Sequence, residues 1–185
     1  MRKNIKGVLA LSMAVFLSTS MLTPATPTLA KQSKNVVVGT QEELDAALSE
    51  KSVKKITVKT GKKTKLSIGK GTYAGKTLVI DAAKTTLQNG GKFKAVNIID
   101  AKSYTEAAKA NTVKVTDKKL TLKVAKSSSG SKISLAGKDA TVKAKISGKV
   151  SSLTVKNATK LNLSGKSSVS TLGVETGDAN ITVGK

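Results

Sequence analysis

Val113-Lys114-Val115, Ile133-Ser134-Leu135, Leu153-Thr154-Val155 and Leu172-Gly173-Val174 are four copies of one apolar-polar-apolar triplet. They follow one another at steps of 20, 20 and 19 residues. A second column keeps the same step through Leu122, Val142, Leu161 and Ile181, echoed two residues later by Val124, Ala144, Leu163 and Val183. Two columns with one period near twenty are the pattern of a solenoid of short strands. Within a triplet the outer residues face one way and the middle one the other. So short a strand cannot bury its apolar face alone, but it can when stacked on an equivalent strand one coil away. A helix would need apolar residues at a spacing of about 3.6, which residues 113–183 lack. The expected fold is all-β: a right-handed, single-stranded parallel β-helix (β-solenoid) of about seven coils. Right-handed is the choice because the period lacks the strict hexad of left-handed solenoids.

Working outward from this stretch, residues 36–50 read as a strand and then a helix. Val36-Val37-Val38 is short and β-branched, and Thr40 stands three before Glu43, a capping box. Leu44, Ala47 and Leu48 then lay an apolar stripe along the helix. An N-terminal capping helix over residues 36–50 suits a solenoid, whose terminal coils otherwise expose core. Less regular rungs follow: Ile56/Val58, Leu66/Ile68, Leu78/Ile80, Leu87 and Val96/Ile98. At about 103–110 the pattern breaks. Ser103 and Glu106 form a second capping box, Ala107-Ala108-Lys109-Ala110 follows, and Asn111 is a C-terminal stop. A short helical insertion is predicted there.

Residues 1–30 have the layout of a signal peptide, leaving 31–185 as the β-solenoid domain. Arg2, Lys3 and Lys6 precede an apolar run from Gly7 to Leu22, then Pro24 and Pro27, and cleavage is expected at Ala25 or, in Thr28-Leu29-Ala30, at Ala30. Three of the 33 basic residues fall in that segment, so 30 lysines face 11 acidic residues in the rest. The chain contains no Cys and no His. That excludes disulfides, thiol and histidine catalysis, and zinc sites built on those ligands.

Eight of the 15 glycines precede a lysine, among them Gly137, Gly148 and Gly165. Glycine supplies the positive φ of a tight corner, and the lysine after it leaves toward water. Repeated coil by coil, this predicts lysine rows along the edges, with Lys138, Lys149 and Lys166 as binding residues for polyanions.

Four stretches together resemble a known group: Thr40–Leu48, Lys70–Ile80, Phe93–Ile98 and Ser103–Val113. They look like exported, lysine-rich β-helix proteins of Gram-positive bacteria, related in shape to the pectate-lyase-like right-handed β-helices. The resemblance implies a fold and an exterior location. It implies no chemistry and no site residues.

Enzymatic readings find few carriers. A pectate-type lyase needs clustered acids for calcium and a cationic base, whereas Asp81, Asp100, Asp117, Asp139, Glu175 and Asp178 are scattered. Asp81 and Asp100, 19 apart, would stack one coil apart at a separation suited to a retaining glycosidase. Neutralised turn residues are the simpler account. Gly75-Lys76-Thr77 ends like a phosphate loop but lacks the leading glycine. No catalytic residue, metal site or cofactor is expected.

The excess of lysine points instead to a non-enzymatic protein, secreted and either extracellular or cell-wall associated. Its expected partners are anionic polysaccharide or teichoic acid, with host glycans a further class. The alternative is a carbohydrate-active enzyme, a polysaccharide lyase or glycoside hydrolase on a β-helix. Specific nucleic-acid reading is not expected, since Arg2 is the only arginine and aromatic residues are few. The uncapped rung Ile181-Thr182-Val183 predicts end-to-end self-association.

Overall fold

The computed structural model describes residues 34–184, Ala158 and Ser167 excepted. The signal-peptide reading of residues 1–30 lies outside them. The described chain is a parallel β-solenoid of about seven turns with one short helix. Its strands are β1 (Lys34–Val38), β2 (Val53–Val58), β3 (Lys65–Glu106), β4 (Thr112–Val115), β5 (Lys119–Val124), β6 (Ser131–Leu135), β7 (Ala140–Ile146), β8 (Val150–Val155), β9 (Thr159–Ser164), β10 (Val169–Val174) and β11 (Asn180–Val183). The helix α1 spans Gln41–Ser49.

Two ladders of parallel strands carry the stack. One runs β1–β2–β3–β4–β6–β8–β10 and the other β3–β5–β7–β9–β11, with the long β3 bending through both. In the first ladder the triplets meet as the period predicts: Val113 pairs Ile133, Ile133 pairs Leu153, and Leu153 pairs Leu172. Val113, Leu153 and Val155 are completely buried, and Ile133 and Leu135 nearly so. Each such side chain contributes roughly 1.5–3 kcal/mol by leaving water.

The second ladder departs from a constant step in one coil. Leu120, not Leu122, lies beside Val142, and Leu122 lies beside Ala144. From there the expected partners hold, Val142 with Leu161 and Leu161 with Ile181. The cause is corner length. The chain takes five residues from Val115 to Leu120 but seven from Leu135 to Val142. The longer corner contains Asp139 with φ 53°, a left-handed conformation that aspartate tolerates. The return path shortens to match, from nine residues between Val124 and Ile133 to seven between Ile146 and Leu153, so the first ladder stays in step.

At the N-terminal end α1 lays Leu44, Ala47 and Leu48 on the first strands. The capping box is present: Glu43 N–H donates to the Thr40 hydroxyl, while Glu43 Oε2 accepts from the Thr40 and Gly39 amides. The segment from the helix C-cap into β2 is held by Lys76, whose Nζ donates to the carbonyls of Glu50 and Val53. Lys76 is only 8% exposed, so this glycine-following lysine does not leave its corner for water.

Two further expectations are corrected. Residues 103–106 close β3 as strand, so the helical insertion at about 103–110 is absent. Tyr104 and Glu106 alternate inward, paired with Leu122 and Val124, and this burial overrides the local capping signal. Nor does positive φ explain the glycines that precede lysine. Among the described ones only Gly165 has it, at φ 120°. At Gly137 and Gly148 the reason is close approach, because a Cβ would fall 2.6 Å from the Asp117 carbonyl oxygen and 2.2 Å from that of Ala125.

Leu153 tests the stack directly. Leu153→Ala is expected to cost about 2–5 kcal/mol in urea unfolding, by opening a cavity between two rungs. Leu153→Asp, placing an unpaired charge there, is expected to leave no folded protein by circular dichroism.

Candidate functional site

The three lysines singled out from the sequence do not form one row. Lys138 sits in the β6–β7 corner, whereas Lys149 lies between β7 and β8 and Lys166 between β9 and β10. Lys149 and Lys166 therefore share the corner leading back to the first ladder, and Lys138 occupies a different one. All three side chains are exposed.

A denser lysine group lies on the outer face of the second ladder. Lys123 of β5 is directly opposite Lys145 of β7, and Lys143 stands two residues before Lys145 on the same outward face. Thr121, Asn162 and Ser164 are their ladder neighbours. These residues surround a shallow recess of about 400 Å³ with no acidic side chain in its lining. Attention to corners misses this group. The alternation in Ala140–Ile146, lysine at 143 and 145 between inward apolar residues, is the signal that could have found it.

The acids of the chain are mostly engaged elsewhere. Asp81 pairs with Lys59 at 3.2 Å and Glu175 with Lys156 at 3.1 Å. Asp81, Asp100 and Asp117 line one recess of about 770 Å³, together with Lys102, Lys118 and Lys119. Asp117 is nearly buried and ties its corner together, accepting from the amides of Ala101 and Lys119 at 2.8 Å each. Burial pushes its carboxyl above the ordinary value, against those two hydrogen bonds.

Glu106 is wholly buried in the solenoid interior with no basic partner among the described residues. Its carboxyl receives the Tyr104 hydroxyl at 2.7 Å, the Ala108 amide at 2.8 Å and the Asn111 amide group at 3.1 Å. Asn89 donates to the Tyr104 hydroxyl, and Asn111 also bridges the Phe93 amide and the Gly91 carbonyl. Asn111 is thus an internal tie between coils and not a helix stop. Burial raises the Glu106 carboxyl above its ordinary value, although every donor around it favours the charged form. Burial first, and then the Glu106 charge, push the Tyr104 phenol well above its ordinary value, so it remains a donor.

No protein-family model, no curated protein and no solved structure matches this chain.

The Glu106 network gives stability a definite pH dependence. A carboxyl with a raised folded value holds its proton more tightly in the folded chain, so ionising it costs stability. That cost is absent well below the ordinary glutamate value of 4.5 and complete once the pH exceeds the raised value. In urea unfolding from pH 4 to pH 8, wild type is expected to lose stability relative to Glu106→Gln as pH rises. Parallel curves would mean that Glu106 does not change its charge state on folding in that range.

Proposed function

We propose that this chain is a non-enzymatic, secreted rod, extracellular or cell-envelope associated, that binds anionic polymers through its lysines. The observation that carries this reading is the fate of the charges. Of the 30 lysines past the first 30 residues, only Lys59 and Lys156 form ion pairs among the described residues. Two of the 11 acids, Glu106 and Asp117, are buried, as is one lysine, Lys76, while Glu43 and Glu50 stay exposed but are tied up in hydrogen bonds at the ends of α1. The outward face therefore carries the full lysine excess of the composition, nearly all of it without an acidic partner. A positive rod of this kind attracts linear polyanions such as teichoic acids and acidic glycans. Each contact is weak and screened, and affinity comes from many contacts along the stack.

The carbohydrate-active alternative draws on the aspartate-lined recess. There Asp81 is ion-paired and Asp117 serves the backbone, which leaves Asp100 alone without a described partner. The non-enzymatic reading is preferred for that reason.

A second property concerns the outermost strands. Among the described residues nothing pairs with the outer edges of β10 and β11. There Leu172, Val174 and Val183 are 46%, 48% and 70% exposed, although Leu172 and Val174 continue columns buried in the preceding coil and Val183 follows the half-buried Leu163. Residues 169–184 hold Glu175 and Asp178 but no lysine, so the charge that guards other strands against pairing is missing here. A second copy of this chain is the proposed partner for that edge.

Two measurements test these readings. Retention of the exported chain on teichoic acid or heparin is expected to fall steeply between 50 mM and 500 mM salt, and to drop in Lys138→Glu/Lys149→Glu/Lys166→Glu without loss of folding. Retention indifferent to both would show that the charge serves solubility alone. Sedimentation is expected to show concentration-dependent dimers that Leu172→Lys abolishes, and a strict monomer at millimolar concentration would refute the pairing.

A further inference from the structure

Between separate strands of the solenoid, lysines on the ladders face neutral neighbours with one exception. Lys55 faces Thr77, Lys114 faces Asn97 and Ser134, Lys132 faces Thr112 and Ser152, and Lys160 faces Thr141 and Asn180. Lys123 faces Lys145. Directly opposed like charges destabilise a sheet, and here their Cβ atoms are about 5 Å apart. Lys143 is on the same face, one diagonal step from Lys123. No acid lines the recess they surround.

Neither solubility nor protection of an edge accounts for this pair. β5 and β7 are interior to the ladder, flanked by β3 and β9, so neither presents a free edge there. The other lysines paired between separate strands stand against threonine, serine, asparagine or valine, which avoids the repulsion. An opposed pair is useful where a bridging anion lies between the two ammonium groups.

We infer that Lys123, Lys145 and Lys143 form an oxyanion-binding site on the outer face of β5 and β7, taking a phosphate or sulfate group of an anionic polymer. The inference rests on the polyanion reading above and gives it a location. Lys123 and Lys145 clamp the oxyanion from adjacent coils, and Lys143 supplies a third donor from the side. Thr121, Asn162 and Ser164 continue the two outward rows along the stack, with hydroxyl and amide groups that meet the uncharged parts of a polymer lying parallel to the axis. The neighbouring phosphate or sulfate groups of that polymer then meet the more diffuse field of the rod.

The site is tested with the exported chain as wild type, Lys145→Thr and, as control, Lys132→Thr. The control removes another exposed lysine, one that faces only neutral neighbours. In low-salt, phosphate-free buffer, Lys145→Thr is expected to raise Tm by about 2–4 °C through relief of repulsion, and Lys132→Thr to leave it unchanged. Pyrophosphate is expected to raise the Tm of wild type and of Lys132→Thr but not of Lys145→Thr. Binding to linear polyphosphate and to heparin is expected to fall about tenfold in Lys145→Thr and by less than twofold in the control. A loss on polyphosphate alone assigns the site to phosphate polymers, and a loss on heparin alone to sulfated glycans. Equal losses in the two variants would overturn the site and leave the polyanion reading in place. Wild type that is stabilised by pyrophosphate yet retained on no polymer would overturn that reading and keep the site. No pyrophosphate effect on wild type would overturn the site outright.

Discussion

Each coil of this molecule is folded only in the company of its neighbours. A rung such as Leu153-Thr154-Val155 makes no ladder hydrogen bonds to itself; its amides and carbonyls are satisfied by the rungs above and below. Its apolar side chains are likewise dry only because Ile133 and Leu135 lie on one side and Leu172 and Val174 on the other. Hydrogen bonding and burial thus act along the same axis, and the loss of one rung removes both from two neighbours. With no disulfide in the chain, this mutual dependence is what supports the stack. It also explains why the N-terminal end carries a helix with a full capping box and a buried lysine tying its C-cap to β2, for a first coil has only one neighbour.

The interior is not uniformly apolar. Around Asn89, Tyr104, Glu106 and Asn111 a hydrogen-bonded network replaces the aliphatic columns. Asn111 links Gly91 and Phe93 of one coil to Glu106 of the next pass of the chain. Such a network costs desolvation, visible in the raised Glu106 carboxyl, and returns directional contacts that aliphatic stacking lacks. Aliphatic rungs tolerate a slip of two residues, whereas Asn111 can meet both the Phe93 amide and the Gly91 carbonyl in only one register. The network lies in β3 and the segment just after it, where the coils change length and the columns alone specify alignment least well.

What could be read from the sequence followed from what repeats. From β4 to β10 the first ladder was legible because its residues recur at 20, 20 and 19, and Thr40, Glu43 and the Leu44–Ala47–Leu48 stripe announced the cap. The second ladder misleads by two residues in one coil. Leu120, Leu122 and Val124 all point inward, so a slip of two keeps the apolar face inside and the pattern cannot report it. Ser103 and Glu106 misled for the opposite reason: a local motif was overruled by a distant partner, the polar interior that Asn89 and Asn111 complete. The candidate oxyanion site inherits the register problem. A constant step sets Lys123 against Lys143, the true register sets it against Lys145, and only the corner lengths decide between them.

Those corner lengths carry a wider consequence. The β6–β7 corner is two residues longer than the one before it, and the following return is two residues shorter, with the first ladder undisturbed. Over the two circuits from Val113 to Leu153, length is therefore conserved per circuit and not within any single bend. For protein engineering this makes two bends of one circuit a coupled pair of cassettes. A peptide grafted into one can be accommodated by trimming the other, as the Gly137–Asp139 bend already demonstrates. A graft made in one bend alone has to bulge outward or shift every later rung.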